Sequence, residues 1–297
     1  MTSLILTLVA ERETTCLTPA LISLARDILS TTEEMTVLSP EEAVDIPCNA
    51  TAWDKLSTLR HAFKSHAIDP ILTPAKNRQK RLLLSDMDST IVENETLDDL
   101  AQLAGIGEKI AAITARSMNG ELDFATSLNE RVALLRGYPA HLLKQAWEKI
   151  RLNTGAITLV RTMRAHGAKT VLVSGGFTYF TAQVAALCGF DEHYANTLQL
   201  SHNNTELAGT VQQPVLGAES KFNILQECAQ NLSLPLSDTL AIGDGANDLP
   251  MLRTAGLGLA FHAKPVVRQT ITTQINHTSL RTVLFTQGYP ASVFTEE

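Results

Sequence analysis

Short apolar runs of strand length alternate along the chain with stretches whose apolar residues recur every three to four positions. Residues 3–9 read as a strand, and 18–30 as an amphipathic helix carrying Leu21, Ile22, Leu24, Ala25, Ile28 and Leu29. A short strand over 35–39 and a second helix over 53–66, with Trp53, Leu56, Leu59 and Phe63, continue a pattern that runs roughly β-α-β-β-α-β. Pro70, Pro74 and the basic stretch Lys76-Asn-Arg-Gln-Lys-Arg81 interrupt it and predict a boundary near residue 76.

Leu82-Leu-Leu-Ser-Asp86 opens a different pattern, in which apolar strands end in carboxylates, Ser or Gly and are followed by helices. Strands are predicted over 81–86, 169–174, 239–243 and 257–260, and helices near 97–105, 178–188, 219–230 and 248–253. Continuous apolar runs separated by helices are what a parallel sheet buried on both faces requires. The stretch 106–152 is helical in pattern and too long for a simple crossover, which predicts a cap inserted over the sheet edge. Gly105, Gly107 and Gly155 near its ends read either as hinges or as helix stops. Residues 196–211, with Leu198 and Leu200, then Asn203-Asn204, then Leu207 and Val211, predict a β-hairpin. The expected fold is α/β: a doubly wound parallel sheet over 76–297 with an inserted helical cap, after a small α+β domain, ferredoxin-like in its order, over 1–75.

With 297 residues, 44% of them apolar and 19% charged, the chain has room for a core and a pocket, which excludes disordered and fibrous classes. Its 24 basic against 31 acidic residues give a net charge of −7, and no basic stripe with interleaved aromatics occurs. Nucleic acid is therefore not an expected partner, and the basic run at 76–81 is expected to be a solvated linker. No run of 18 apolar residues appears, so no membrane span is expected. The apolar start lacks a basic n-region and runs into Glu11-Arg-Glu13, unlike a signal peptide. Cys16, Cys48, Cys188 and Cys228 are scattered without a C-x-x-C pair and read as reduced, mostly buried thiols, so cytoplasmic residence is the expectation.

In an open α/β sheet the ligand sits beyond the carboxyl ends of the strands. The first predicted strand delivers Asp86-Met-Asp88-Ser-Thr90 there, the second Ser174-Gly175-Gly176, the third Gly243-Asp-Gly-Ala-Asn-Asp248, and a helix start offers Lys221. Asp86 and Asp88 stand two apart just past a strand, where the chain turns and both can reach one site. Clustered carboxylates repel unless a cation neutralises them, and hard oxygen ligands in this number suit Mg²⁺. Asp244 or Asp248 can complete that shell. Taken singly, Asp88 or Asp244 could equally cap the following helix. Ser174 with the backbone N–H groups of Gly175 and Gly176 and the point charge of Lys221 make a phosphoryl cradle.

Asp86-x-Asp88-x-Thr90, Ser174, Lys221 and Gly243-Asp244-Gly-x-Asn247-Asp248 resemble, in that order, the four motifs of the haloacid dehalogenase-like phosphohydrolases. The wording of Asp86 through Glu95, of Met118 through Phe124 to Arg131, of Val173-Ser-Gly-Gly-Phe177 and of Ile242 through Asp248 is similar to members that act on phosphoserine. The resemblance implies that Asp86 attacks phosphorus and forms an aspartyl-phosphate, with Asp88 as general acid and then general base. It implies Mg²⁺ held by the carboxylates of Asp86 and Asp244 and the backbone carbonyl of Asp88, and Ser174 and Lys221 on the phosphoryl group. Asp248 and Asn247 orient that shell, Asn247 also reaching the substrate. Glu95 then faces a substrate ammonium, Arg131 grips its carboxylate, and Met118 and Phe124 close the pocket.

Alternatives remain at this level. A related small-molecule phosphatase, or a transferase moving the phosphoryl group to an alcohol such as homoserine, would use the same motifs. A phosphorylated switch of the response-regulator kind would lack the second carboxylate and the cap. Residues 1–75 resemble, in topology alone, the ACT-type amino-acid-binding modules; they read equally as a packing or homodimerisation domain.

Overall fold

The structure is a computed structural model and describes residues 3–12, 14–118 and 121–296. Strand β1 (Leu4–Ala10), helix α1 (Pro19–Leu29), strands β2 (Thr36–Ser39) and β3 (Ala43–Cys48), helix α2 (Ala52–Phe63) and strand β4 (Ile68–Pro74) come first. Their strands pair antiparallel in the order β2-β3-β1-β4, the arrangement of a split β-α-β unit. Strand alternation puts Leu4, Leu6 and Leu8 with Val44, Ile46, Ile68 and Leu72 on one face, where Ala25 and Leu29 of α1 and Leu59 and Phe63 of α2 bury them. Helix α1 begins where it does because Thr18 accepts the Leu21 N–H and Pro19 supplies a preset φ.

The chain continues through β5 (Leu82–Asp86), α3 (Thr96–Leu103), α4 (Gly107–Met118), α5 (Phe124–Ala133), α6 (Leu142–Trp147), α7 (Ala156–Ala165) and β6 (Lys169–Phe177). Then come α8 (Thr178–Cys188), β7 (Glu192–Asn196), the hairpin strands β8 (Leu198–Leu200) and β9 (Leu207–Val211), and α9 (Ala218–Asn231). Strand β10 (Thr239–Gly243), α10 (Leu249–Thr254), β11 (Leu257–Phe261), α11 (Pro265–Thr270), β12 (Gln274–Ile275) and α12 (Arg281–Thr286) complete it.

Six of these strands form an all-parallel sheet in the order β12-β11-β10-β5-β6-β7. Successive residues serve opposite cores: Leu83, Leu172, Leu240 and Ile242 pack on one side with Leu159, Val160, Phe180 and Val184 of α7 and α8. Leu82, Leu84, Val171, Val173 and Ala241 pack on the other with Leu225 and Ala229 of α9 and Met251 and Leu252 of α10. Burial on both faces is why the strand sequences are unbroken apolar runs. Strand order reverses between β5's neighbours β6 and β10, which opens a crevice at the carboxyl end of β5.

Helices α3 to α6 lie over that end, with α3 packed on both α4 and α6. The segments entering and leaving them are stitched together by a bridge between Val92 and Leu152, by the Glu93 N–H to Arg151 O at 2.9 Å, and by the Arg151 N–H to Asn94 Oδ1 at 2.8 Å. Gly155 follows at φ +81°, and a Cβ there would sit 2.8 Å from the Arg281 backbone nitrogen, so only glycine fits this start of α7.

The sheet face of β1 to β4 away from α1 and α2 is covered as well. Val9, Leu38 and Ala43 pack on Phe285, and α12, buried at every residue, lies against β1 and α7. The basic run at 76–81 is solvated at Lys76, Gln79 and Arg81, as its charge suggests, but not at Arg78 and Lys80. Arg78 grips Asp45 with both terminal nitrogens and donates to Thr7 Oγ1 at 3.0 Å and to the carbonyls of Phe285 and Thr286. Lys80 is buried and donates to the carbonyls of Asn77 and Ser237 at 2.6 and 2.7 Å. The planar fork of Arg78 finds a buried carboxylate between two sheets, which offsets the cost of taking that guanidinium out of water.

Asp69, 1% exposed, accepts from the backbone N–H groups of Asn276, His277 and Thr278 and from the Thr278 hydroxyl, all within 2.8–3.0 Å. Asp69→Ala strands three N–H groups in the interface and should lower stability by about 3 kcal/mol, at roughly 1–3 kcal/mol for each unmet group less what relaxation recovers. The check is a urea titration of the variant, expected to move the midpoint down at an unchanged slope; an unmoved midpoint would mean that water replaces the carboxylate.

Candidate active site

Strand β5 ends at Asp86, β6 carries Ser174, Gly175 and Gly176 past the sheet, and Asp244 follows β10, so all reach the same crevice. Lys221 comes in from the first turns of α9 and is 1% exposed. Its Nζ lies 2.5 Å from Asp86 Oδ1 and 2.7 Å from Asp248 Oδ1. The second Asp248 oxygen accepts the backbone N–H groups of Asp244 and Gly245 at 3.1 and 3.0 Å. Asp248 thus fixes both the lysine and the turn after β10. Burial opposes the charge of Lys221, but Asp248 and Asp86 outweigh it and hold the ammonium above its ordinary pKa. Burial also pushes the Asp86 carboxyl well above the usual range, Asp248 adding to the rise and Lys221 opposing it.

Asp88 turns away from that cluster. Its Oδ1 accepts the backbone N–H of Thr96 at 2.8 Å and its Oδ2 the Ser174 hydroxyl at 3.0 Å, while Ser174 Oγ accepts the Gly176 N–H at 2.8 Å. Burial, with Glu95's charge second, raises Asp88 to about 6 against the bonds from Thr96 and Ser174. A carboxyl placed so can hold or release a proton near neutrality.

Oxygen atoms of Asp86, Asp244 and Asp248 lie within 4.8 Å of one another, a buried trio able to hold a metal ion. Since Lys221 and two N–H groups engage Asp248, the members of the trio that face the cavity are Asp86 and Asp244. Burial also raises Asp244 to about 6, although the nearby Lys264 ammonium opposes the shift. All-oxygen donors of this kind fit a hard divalent cation.

The cavity holds about 500 Å³ between the sheet edge and the helices above it. Asp86, Asp88, Gly175, Asp244 and Asn247 line its floor, and Glu95, Phe124 and Arg131 its roof. The Phe124 ring presses on the loop below: a Cβ on Gly175 would lie 2.9 Å from it and one on Gly217 3.1 Å. Glu95 accepts from the Ser89 hydroxyl at 2.9 Å. Burial lowers the pKa of Arg131, with Asp98 and Glu95 opposing. Met118 is the last residue of α4, and its side chain falls outside the described residues.

Three groups escaped the sequence reading. Lys264 lies 3.2 Å from Asp244 and 3.5 Å from Glu95 and follows β11, whose carboxyl end also reaches the crevice. Asn196, at the end of β7, ties the loops below Phe124 by donating to the carbonyls of Gly175 and Leu216 at 2.9 and 3.1 Å. Thr96 holds Asp88 through its backbone, which side-chain identity does not advertise.

Residues 83–253 match the haloacid dehalogenase-like hydrolase family, and the chain belongs to that family. Among curated relatives, a phosphoserine phosphatase of Lactococcus lactis is 44% identical over 205 residues, 69% of this chain and 94% of that protein. A phosphoserine phosphatase of Archaeoglobus fulgidus is 40% identical over 212 residues, 71% of this chain, and the match spans only 61% of the relative's length. The unliganded crystal structure of a probable phosphoserine phosphatase from Vibrio cholerae has a TM-score of 0.78 at 30% identity, covering 98% of this chain and 88% of that one.

Proposed function

We propose that the chain hydrolyses O-phospho-L-serine to L-serine and phosphate, the last step of serine biosynthesis. The observation that carries this reading is one cavity with Asp86, Asp88 and Asp244 on its floor, Lys221 bonded to Asp86 behind them, and an acid and a base, Glu95 and Arg131, on its roof. That division suits a phosphate ester on one side and a zwitterionic amino acid on the other. The phosphoserine phosphatases among its relatives support the same substrate.

In this reading Lys221, Ser174 and the Gly175 N–H bind the phosphoryl oxygens, and Asp86 attacks phosphorus in line as the ester oxygen leaves. Asp88 gives its proton to that oxygen and later takes one from the water that splits the aspartyl-phosphate. Asp86 and Asp244, with the backbone carbonyl of Asp88, hold Mg²⁺, which when bound offsets charge on the phosphoryl oxygens. Asp248 keeps Lys221 in place, Asn247 borders the substrate, Glu95 receives the ammonium and Arg131 the carboxylate. Phe124 closes the pocket over them.

Residues 76–297 form the phosphatase domain, with 106–152 as the body of its cap and α3 joined to it. Residues 1–75 form the smaller domain, through which two chains would pair into a homodimer. None of the four cysteines is in a disulfide, and they are not mostly buried as expected: Cys188 is buried, Cys48 and Cys228 half-buried and Cys16 exposed. Free thiols suit a reducing compartment, and we assign the activity to the cytoplasm.

Arg131→Ala tests the substrate assignment. Losing a charged partner for the carboxylate should cut kcat/KM for phosphoserine by about 10²-fold, roughly the 1.5–3 kcal/mol of a charge-assisted bond. An aryl phosphate, which has no carboxylate to grip, should change less than threefold. Equal losses on both would refute the grip.

A further inference from the structure

We propose that Thr96 is a positioning residue whose backbone N–H aims the Asp88 carboxylate, so that recognition of the substrate ammonium and proton transfer share one peptide unit. The proposal rests on the acid and base role given to Asp88 above. Asp88 stands two residues beyond β5, on a turn rather than on the sheet. Its carboxylate has one anchor on each side of the cavity: the Ser174 hydroxyl at 3.0 Å from the sheet edge and the Thr96 N–H at 2.8 Å from the first residue of α3. With a single anchor the carboxylate can turn about its Cα–Cβ bond; two anchors fix the direction of its oxygens. Thr96 is 1% exposed, and its N–H is one of the donors that a helix start leaves without an intrahelical acceptor. That N–H belongs to the planar peptide joining Glu95 to Thr96. Glu95 reaches into the same cavity. The residue proposed to receive the ammonium and the N–H that aims Asp88 are thus neighbours on one peptide.

The local backbone permits a selective test. Thr96 is the first residue of α3, where proline is tolerated, and Glu95 before it is extended at φ −103° and ψ 99°, about 20° short of the ψ that residues before proline prefer and outside the α region that proline disfavours there. Thr96→Pro removes the N–H, puts its ring Cδ where that hydrogen lay and so displaces Asp88 Oδ1, while leaving the helix start; Thr96→Ala removes the hydroxyl and keeps the N–H. Both variants are assayed beside Asp88→Asn, with phosphoserine and with 4-nitrophenyl phosphate. Nitrophenolate leaves without a proton, so formation of the aspartyl-phosphate needs no acid, whereas its hydrolysis needs Asp88 as base in every case.

Thr96→Pro should give a rapid burst of about one nitrophenolate per active site at the wild-type rate. A steady state and a phosphoserine kcat slowed by about tenfold or more should follow, part of the 10²–10⁴ that acid–base catalysis supplies. Thr96→Ala should restore both to within about threefold of wild type. Wild-type kcat in Thr96→Pro, or a burst slowed as much as the steady state, would overturn the proposal, as would an equal defect in Thr96→Ala. If Asp88→Asn itself turned phosphoserine over at the wild-type rate, the role of Asp88 would fall, which separates that failure from a failure of Thr96 alone.

Discussion

Asp86→Asn should lose turnover of phosphoserine by at least ~10⁴-fold, the scale seen when a nucleophile is removed from a group of residues acting as a unit. The amide keeps the volume of the carboxylate but cannot attack phosphorus. The fold should not suffer. Asp86 shares the buried Lys221 with Asp248 and lies beside the buried Asp244, and burial together with Asp248 already disfavours charge on Asp86. Removing one negative charge from that group leaves Lys221 paired with Asp248 at 2.7 Å. The metal-free variant should therefore melt at or above the wild-type temperature while releasing no phosphate. Activity above about one part in a hundred would exclude Asp86 as the nucleophile.

Lys221→Met should do the reverse and cost stability as well as activity. Lys221 is the cation between Asp86 and Asp248, and none of the three side chains is more than 7% exposed. Methionine fills the stem but leaves two carboxylates buried together, and breaking a buried pair by removing one partner costs about 3–5 kcal/mol. In the metal-free protein this should appear as a lower guanidinium midpoint, and binding of orthophosphate in the presence of Mg²⁺ should be lost. A variant within 1 kcal/mol of wild type would show that the site neutralises its carboxylates by some other route.

Much of this site was legible because its residues sit at strand ends, where an apolar run stops and a carboxylate, Ser or Gly begins. Asp86, Ser174 and Asp244 needed only strand positions to be placed together. The paired segments at Val92 and Leu152 and the position of α3 over the crevice were not legible, since a single bridge and a helix's packing partner leave no periodicity. Strand β12 has two residues, too few for any pattern to show. The docking between the two sheets was hidden for a different reason. Thr7, Asp45 and Asp69 alternate with apolar residues along β1, β3 and β4, which is also how a solvated sheet face reads. Here the polar side meets Arg78 and the 276–278 backbone. Lys264 lies past β11 in a stretch with none of the glycine or carboxylate clustering that marked the other strand ends.

The most direct measurement is phosphate release by the purified chain with Mg²⁺, comparing L-phosphoserine with phosphothreonine, phosphohomoserine, phosphoethanolamine and an aryl phosphate, Asp86→Asn serving as blank. The expected result is turnover selective for phosphoserine, abolished by EDTA, restored by added Mg²⁺ and absent in the variant. Turnover of the aryl phosphate alone, or equal turnover of all five, would contradict the roles of Glu95 and Arg131 and with them the substrate.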